Sequence, residues 1–172
     1  MSVKKEFDKF GKYLVTESRK NLTRKGKRST GGLYKSLNYK TKINKNSFEF
    51  SFYMEDYGDF QDKGVKGKVS SLKAPRSPFK FGSGTGKKGG LTKGINQWVK
   101  REGIQFRNKK GQFITRKSTA FLIIRSIYNT GLKTTNFYSR PFELGFKKLP
   151  DEIVEAYALD LEKLLQASRT WY

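Results

Sequence analysis

A chain of 172 residues with neither cysteine nor histidine has no thiolate nucleophile, no disulfide, no imidazole metal ligand and no Ser-His-Asp arrangement, which removes most enzyme and zinc chemistries at once. Thirty-seven basic residues against fifteen acidic ones give +22 at pH 7, a charge that draws a protein toward polyanions. The length suits one α+β domain, 1–172, with a single core, and the longest apolar run, Ala120–Ile124, is far short of the ~20 residues of a membrane span.

Residues 2–24 place Val3, Phe7, Phe10, Tyr13 or Leu14, and Leu22 at intervals near three and four with charges between them. That is the period of an amphipathic helix, which Gly11 is expected to interrupt. Four cations and three glycines in Arg24–Gly32 stop the helix and read as a mobile basic loop, either plainly solvated or touching a polyanion. The charged start of the chain leads into no apolar signal core, so synthesis in a cytoplasm is expected.

The period then falls to two. Leu37, Tyr39, Thr41 and Ile43 alternate with polar residues, as do Phe48, Phe50 and Phe52, and Asn44–Asn46 between them suits a tight turn. This predicts a β-hairpin with Phe50 buried.

From Gly64 to Gly90 the chain is rich in Gly, Ser, Pro and Lys, with little periodic apolar spacing. A long basic loop or assembly arm is expected, loose in the free subunit because fixing its glycines costs backbone entropy. On this reading Phe79 and Phe81 lie in a neighbour's apolar groove, while Lys66, Lys68, Lys73, Arg76, Lys80, Lys87 and Lys88 face acidic protein or phosphate.

Leu91, Ile95, Trp98 and Val99 mark a short helix from about Thr92 to Gly103. A small basic hairpin, Ile104–Thr115, follows, turning at Asn108–Gly111. Its cations interleave with Phe106 and Phe113, which suits a surface that pairs phosphate contacts with stacking, or equally a hairpin whose aromatics point into the core. Ser118 is placed to cap a helix 119–130 with Phe121, Ile124, Ile127 and Tyr128 on its buried face and Gly131 as its stop. Pro150 opens a last helix with Ile153, Tyr157, Leu161, Leu164 and Leu165 on one stripe.

Sites of known chemistry are hard to assemble from these residues. Gly82–Gly90 has the glycines and lysines of a phosphate loop, but Phe81 and Lys88 stand where that motif requires glycine and Ser or Thr. The acids Glu55, Asp56, Asp59 and Asp62 match no calcium-loop spacing and are expected to pair with lysines, within the chain or on a neighbouring subunit, rather than hold a metal. A non-catalytic chain without cofactor or metal is expected, a carboxylate-dependent nuclease being the remaining catalytic alternative.

Taken in order, several of these segments resemble the tail-completion and head–tail connector proteins of tailed bacteriophages. They are the N-terminal helix; Thr30-Gly-Gly-Leu-Tyr-Lys-Ser-Leu37, with Gly32, Leu33 and Ser36 at the family's positions; and Tyr57-Gly-Asp-Phe-Gln-Asp-Lys-Gly64. Ile95-Asn-Gln-Trp98, the Ala120–Ile127 run with Ile124 and Gly131, and Arg140-Pro141-Phe142 before a closing helix complete the pattern. The resemblance implies an antiparallel sheet flanked by helices and a homo-oligomeric ring of six or twelve copies in the virion neck. It also implies portal, adaptor and tail proteins as neighbours, DNA passing through the lumen, assembly in a bacterial cytoplasm, no membrane and no catalysis. The basic 64–90 excursion departs from the family pattern. The alternative is a basic nucleic-acid-binding module, which rests on charge.

Overall fold

The computed structural model describes residues 3–27, 30–44, 47–83, 90–151, 153 and 154. In chain order the elements are α1 (Val3–Arg24), α2 (Gly32–Ser36), β1 (Asn38–Asn44), β2 (Ser47–Tyr53), α3 (Gly58–Lys63), β3 (Val65–Lys66), α4 (Gly90–Arg101), α5 (Arg116–Thr130), β4 (Gly131–Leu132) and α6 (Ser139–Phe146). Leu149–Asp151, Ile153 and Val154 are also helical. The expected α+β class holds: helices flank two small antiparallel sheets, β1-β2 and β3-β4. The chain divides into two compact units, Met1–Asp62 with Asn136–Tyr172, and Lys63–Thr135. The expectation of one domain did not foresee this insertion of one unit into the other.

The first unit is organised by α1, which runs unbroken through Gly11. Helix continues there because the position is needed for a close approach: the Tyr39 ring lies where a Cβ would stand. Val3, Phe7, Phe10 and Leu14 form one buried cluster with Leu149, and half-buried Phe50, Phe52 and Ile153 pack on it. Leu22 belongs to a second cluster with Leu33, Leu37 and Phe137. At the helix end Gly26 is left-handed, the Gly26 amide donates to Thr23 O and Lys27 N to Leu22 O, the paired bonds of a Schellman stop.

Strands β1 and β2 pair with Tyr39 opposite Phe52 and Thr41 opposite Phe50, so the predicted alternation puts the aromatic side of the hairpin against α1. Phe50 is half-buried rather than buried, its ring centroid 4.9 Å from that of Phe10 and 6.0 Å from that of Tyr39. The expected turn at Asn44–Asn46 lies partly outside the described residues. Helix α6 was not foreseen; its Phe142 ring meets Phe10 edge-on at 5.7 Å. Tyr157, Leu161, Leu164 and Leu165 of the expected last stripe also lie outside the described residues.

The second unit pairs α4 with α5. Val99, Thr119 and Ala120 are its buried helical residues, small enough for close helix approach. Helix α4 ends as expected at left-handed Gly103, with Ile104 N donating to Val99 O. The cap of α5 is Thr115, not Ser118: the Thr115 hydroxyl accepts from Ser118 N at 3.1 Å, because the helix begins a turn earlier than its apolar pattern suggests. Phe121 is 60% exposed, against expectation, since Ala120 and Thr119 take the buried side while Ile124, Ile127 and Tyr128 are half-buried. Gly131 stops α5 as expected, at φ 84°, its amide donating to Ile127 O.

An alanine at a helix-interior glycine normally gains about 1 kcal/mol, but at Gly11 the new methyl meets the Tyr39 ring. Gly11→Ala is expected to lower stability by about 1–3 kcal/mol through overpacking. In a Tyr39→Ala background the same change should become neutral or stabilising. Denaturant melts of the four proteins in that cycle measure the difference.

Candidate functional site

The expected loose arm is, over Gly64–Ser83, a folded loop. Strand β3 pairs with β4, Val65 opposite Leu132 and Lys66 opposite Gly131. Lys66 N donates to Phe79 O at 2.8 Å, and Phe81 N donates to Lys66 O at 2.9 Å. Lys68 N donates to Tyr128 O, and the amides of Val69 and Ser70 both reach Asn129 O. These bonds need two backbones close together, which Gly67 permits because it has no Cβ to meet the Asn129 carbonyl. Ala74 is fully buried, and the buried Ser77 hydroxyl donates to Gly64 O at 2.7 Å.

Phe79 and Phe81 are half-buried in their own unit. Phe81 packs on Tyr128 with ring centroids 5.8 Å apart, and the Lys63 ammonium stands 6.0 Å from the Phe79 ring. Lys73 donates to Thr130 Oγ1 at 2.7 Å, whereas Lys68, Arg76 and Lys80 are exposed and Lys66 is half-buried. Lys87 and Lys88 lie outside the described residues. What the loop presents outward is Val69 and Leu72.

The basic hairpin forms as expected. Arg107 bridges Phe113, Asn108 N donates to Gln112 O, and Gly111, at φ 78°, donates to Asn108 O. The Asn108 side-chain oxygen accepts from Lys110 N and Gln112 N at 2.9 and 3.0 Å. Its base is fixed to α5, where Phe106 N donates to Thr119 Oγ1 at 3.0 Å. Of the two readings of its aromatics, the core-facing one fails: Phe106 is 41% and Phe113 62% exposed. The Arg107 guanidinium lies 4.4 Å from the Phe113 ring centroid, a cation–π distance.

Charge separates along the chain. The unit Lys63–Thr135 holds eighteen basic residues and the single acid Glu102 (18 − 1 = +17), leaving nineteen against fourteen (+5) for the other. Glu102 pairs with its neighbour Arg101 at 3.0 Å.

Two of the four acids accept hydrogen bonds from the 138–139 segment of the first unit. Asp62 is fully buried, and its Oδ1 accepts the amides of Tyr138 and Ser139 at 3.0 and 3.3 Å. Helix α6 has no side-chain cap of its own, so Asp62 caps it from across the unit. Asp59 accepts the Tyr138 hydroxyl at 2.7 Å. Neither role had a local signal, since the partners lie more than seventy positions away. No group of acids fit to hold a metal occurs among the described residues.

Residues carrying the family resemblance divide between the units. In the first, Leu33 is buried, Ser36 Oγ accepts Glu55 N and donates to Leu33 O, and a Cβ at Gly32 would stand 3.3 Å from the Tyr57 hydroxyl. Pro141 is buried and Phe142 exposed on α6. In the second, Gly64 and Gly131 both lie against the β3–β4 backbone, and Trp98 and Ile124 are half-buried on α4 and α5. No family model, curated protein or solved structure matches the chain.

Two outcomes follow from this bonding. In hydrogen exchange on the free chain, the Lys66, Lys68 and Phe81 amides should be protected well above that of Lys73, which has no backbone acceptor among the described residues. Uniformly fast exchange would restore the loose arm. Burial first, then the Asp59 hydrogen bond and the charges of Asp59 and Asp62, push the Tyr138 phenol above its usual range. A raised folded value means that its stabilising contribution is full below the unfolded value of about 10 and is lost as pH rises past it. Tyr138→Phe should therefore flatten the loss of stability above about pH 10, and Tyr138 should ionise late in an absorbance titration.

Proposed function

We propose that the protein is a structural subunit of the neck of a tailed phage, a homo-oligomeric ring component that joins portal-side and tail-side proteins in the virion. The observation that supports this reading is an aromatic strip left uncovered on a strongly charged chain. Phe142 and Phe146 of α6 stack at 5.5 Å, nearly parallel at 10°, and both are exposed together with Leu144 and Tyr13. Exposed apolar groups gathered on α6 and the adjoining Tyr13 of α1 suit a protein contact, and this strip lies on the unit that carries Gly32, Leu33, Ser36 and Tyr57.

The ring reading assigns the two units different work: the first holds subunits together, and the +17 unit meets passing DNA or an acidic neighbour. It needs no catalytic group. The basic nucleic-acid module is the second reading, favoured by the exposed Arg107–Phe113 pair.

Sedimentation velocity and native mass spectrometry of the purified chain, alone and with portal-side proteins, test the proposal. A closed oligomer, or co-assembly into one, is expected. Phe146→Ser should dissociate it while leaving the melting curve nearly unchanged. A chain that stays monomeric under both conditions overturns the ring reading.

A further inference from the structure

We infer that the Arg107–Phe113 hairpin is a contact for single-stranded nucleic acid, its cations taking phosphates and Phe113 stacking on a base. This goes beyond the ring reading and does not depend on it. The electrostatic setting comes first. The hairpin projects from a unit whose only acid, Glu102, is already paired with Arg101, so Arg107, Lys109 and Lys110 face no compensating carboxylate of their own unit. All three are exposed, as are Arg116 and Lys117 just beyond the hairpin.

The second part is the placement of the aromatic residue. In the 64–83 loop Phe79 and Phe81 are half-buried, and the exposed cations stand beside the aliphatic Val69 and Leu72 rather than beside an exposed ring. In the hairpin Phe113 turns outward, and Arg107 lies over it. An arginine held on an aromatic ring beside further cations combines stacking with phosphate attraction, the pairing that single-strand binders use. Acidic protein would use the cations but gives the exposed ring no role. Duplex DNA offers phosphates but keeps its bases stacked, so it fits less well than a strand with free bases.

The third part is preorganisation. The turn is closed by the Asn108 side chain, which accepts two backbone amides, and by the Asn108–Gln112 and Gly111–Asn108 backbone bonds. Ile114 N donates to Phe106 O and Phe106 N to Thr119 Oγ1, which ties the arm to α5. A tip already fixed loses little entropy on binding.

Fluorescence anisotropy of the full chain with labelled oligo(dT), oligo(U) and a duplex of equal length, across a salt series, is the test; the two single strands separate DNA from RNA as the source of the shared chemistry. Single strands should bind tighter than duplex. Lys109→Ala with Lys110→Ala should reduce the log–log salt slope on single strands by roughly 0.7 for each phosphate no longer neutralised. The charge-matched pair Lys40→Ala with Lys42→Ala, exposed on β1, should leave the slope nearly unchanged. Phe113→Ala should weaken single-strand binding by about tenfold with the slope kept, and Phe113→Trp should restore it. Equal losses from the two lysine pairs would mean diffuse charge and overturn the assignment. So would an unchanged affinity in Phe113→Ala, or competition by polyglutamate as effective as that of an oligonucleotide of equal charge, which would point to acidic protein. A chain that binds as expected yet stays monomeric defeats only the ring reading, and one that assembles without binding defeats only this one.

Discussion

An inserted unit must return its chain to the place it left, and here that requirement falls on one buried carboxylate. The chain leaves the first unit after Asp62 and re-enters at Asn136, and Asp62 O accepts Asn136 N at 2.9 Å. Its side chain then takes the first two amides beyond Phe137. Burying a carboxylate costs several kcal/mol unless hydrogen bonds replace its water. Charge-assisted bonds from two amides do much of that, although Oδ2 has no hydrogen-bond partner among the described residues. What this burial secures is position. Phe137 is held fully buried among Leu22, Leu33 and Leu37, and Asn21 Nδ2 donates to its carbonyl at 3.1 Å. The start of α6, and through it the exposed strip that ends at Phe146, is set by the same group.

The inserted unit solves a different problem. With seventeen uncompensated positive charges it repels itself, and no internal carboxylate network offsets the repulsion. What holds the 64–83 loop is short-ranged and indifferent to charge: backbone bonds between β3, the 79–81 segment and the end of α5, made possible where Gly67 and Gly131 allow main chains to approach. Such bonds tolerate lysine at almost every outward position. A polyanion that binds only the folded unit would relieve the repulsion and stabilise the unit by mass action.

How much of this was legible depended on whether the determinant was local. The period-two runs around Tyr39 and Phe50 set strand, facing and register together, because one face had to be apolar and the turn left one pairing. Gly26, Gly103 and Gly131 marked helix stops for the same local reason. Helices α3 and α6 escaped notice because each is too short to show a period, and α6 depends on a cap supplied from Asp62. Gly11 looked like a breaker because sequence shows the missing side chain but not the Tyr39 ring that occupies its space. The loop was misread through composition: glycine and lysine signal disorder when counted, but Gly67 serves a backbone approach set by Asn129, more than sixty positions away.

The candidate surfaces were the least legible feature, for a related reason. Sequence shows where cations and aromatics alternate, but not which way the rings turn, and that direction decides whether a basic segment is merely solvated or chemically discriminating. Lys66, Lys68 and Lys80 lie in a loop whose rings, Phe79 and Phe81, are half-buried, so what they add to the surface is charge, which attracts any polyanion and favours none. The hairpin keeps its ring outside, on a turn that Asn108 holds rigid, and so adds geometry to the same charge. On α6 the exposed rings stack on each other between Arg140 and Lys147. The three segments therefore differ as surfaces less by their net charge than by how far Phe79, Phe113 and Phe146 are exposed.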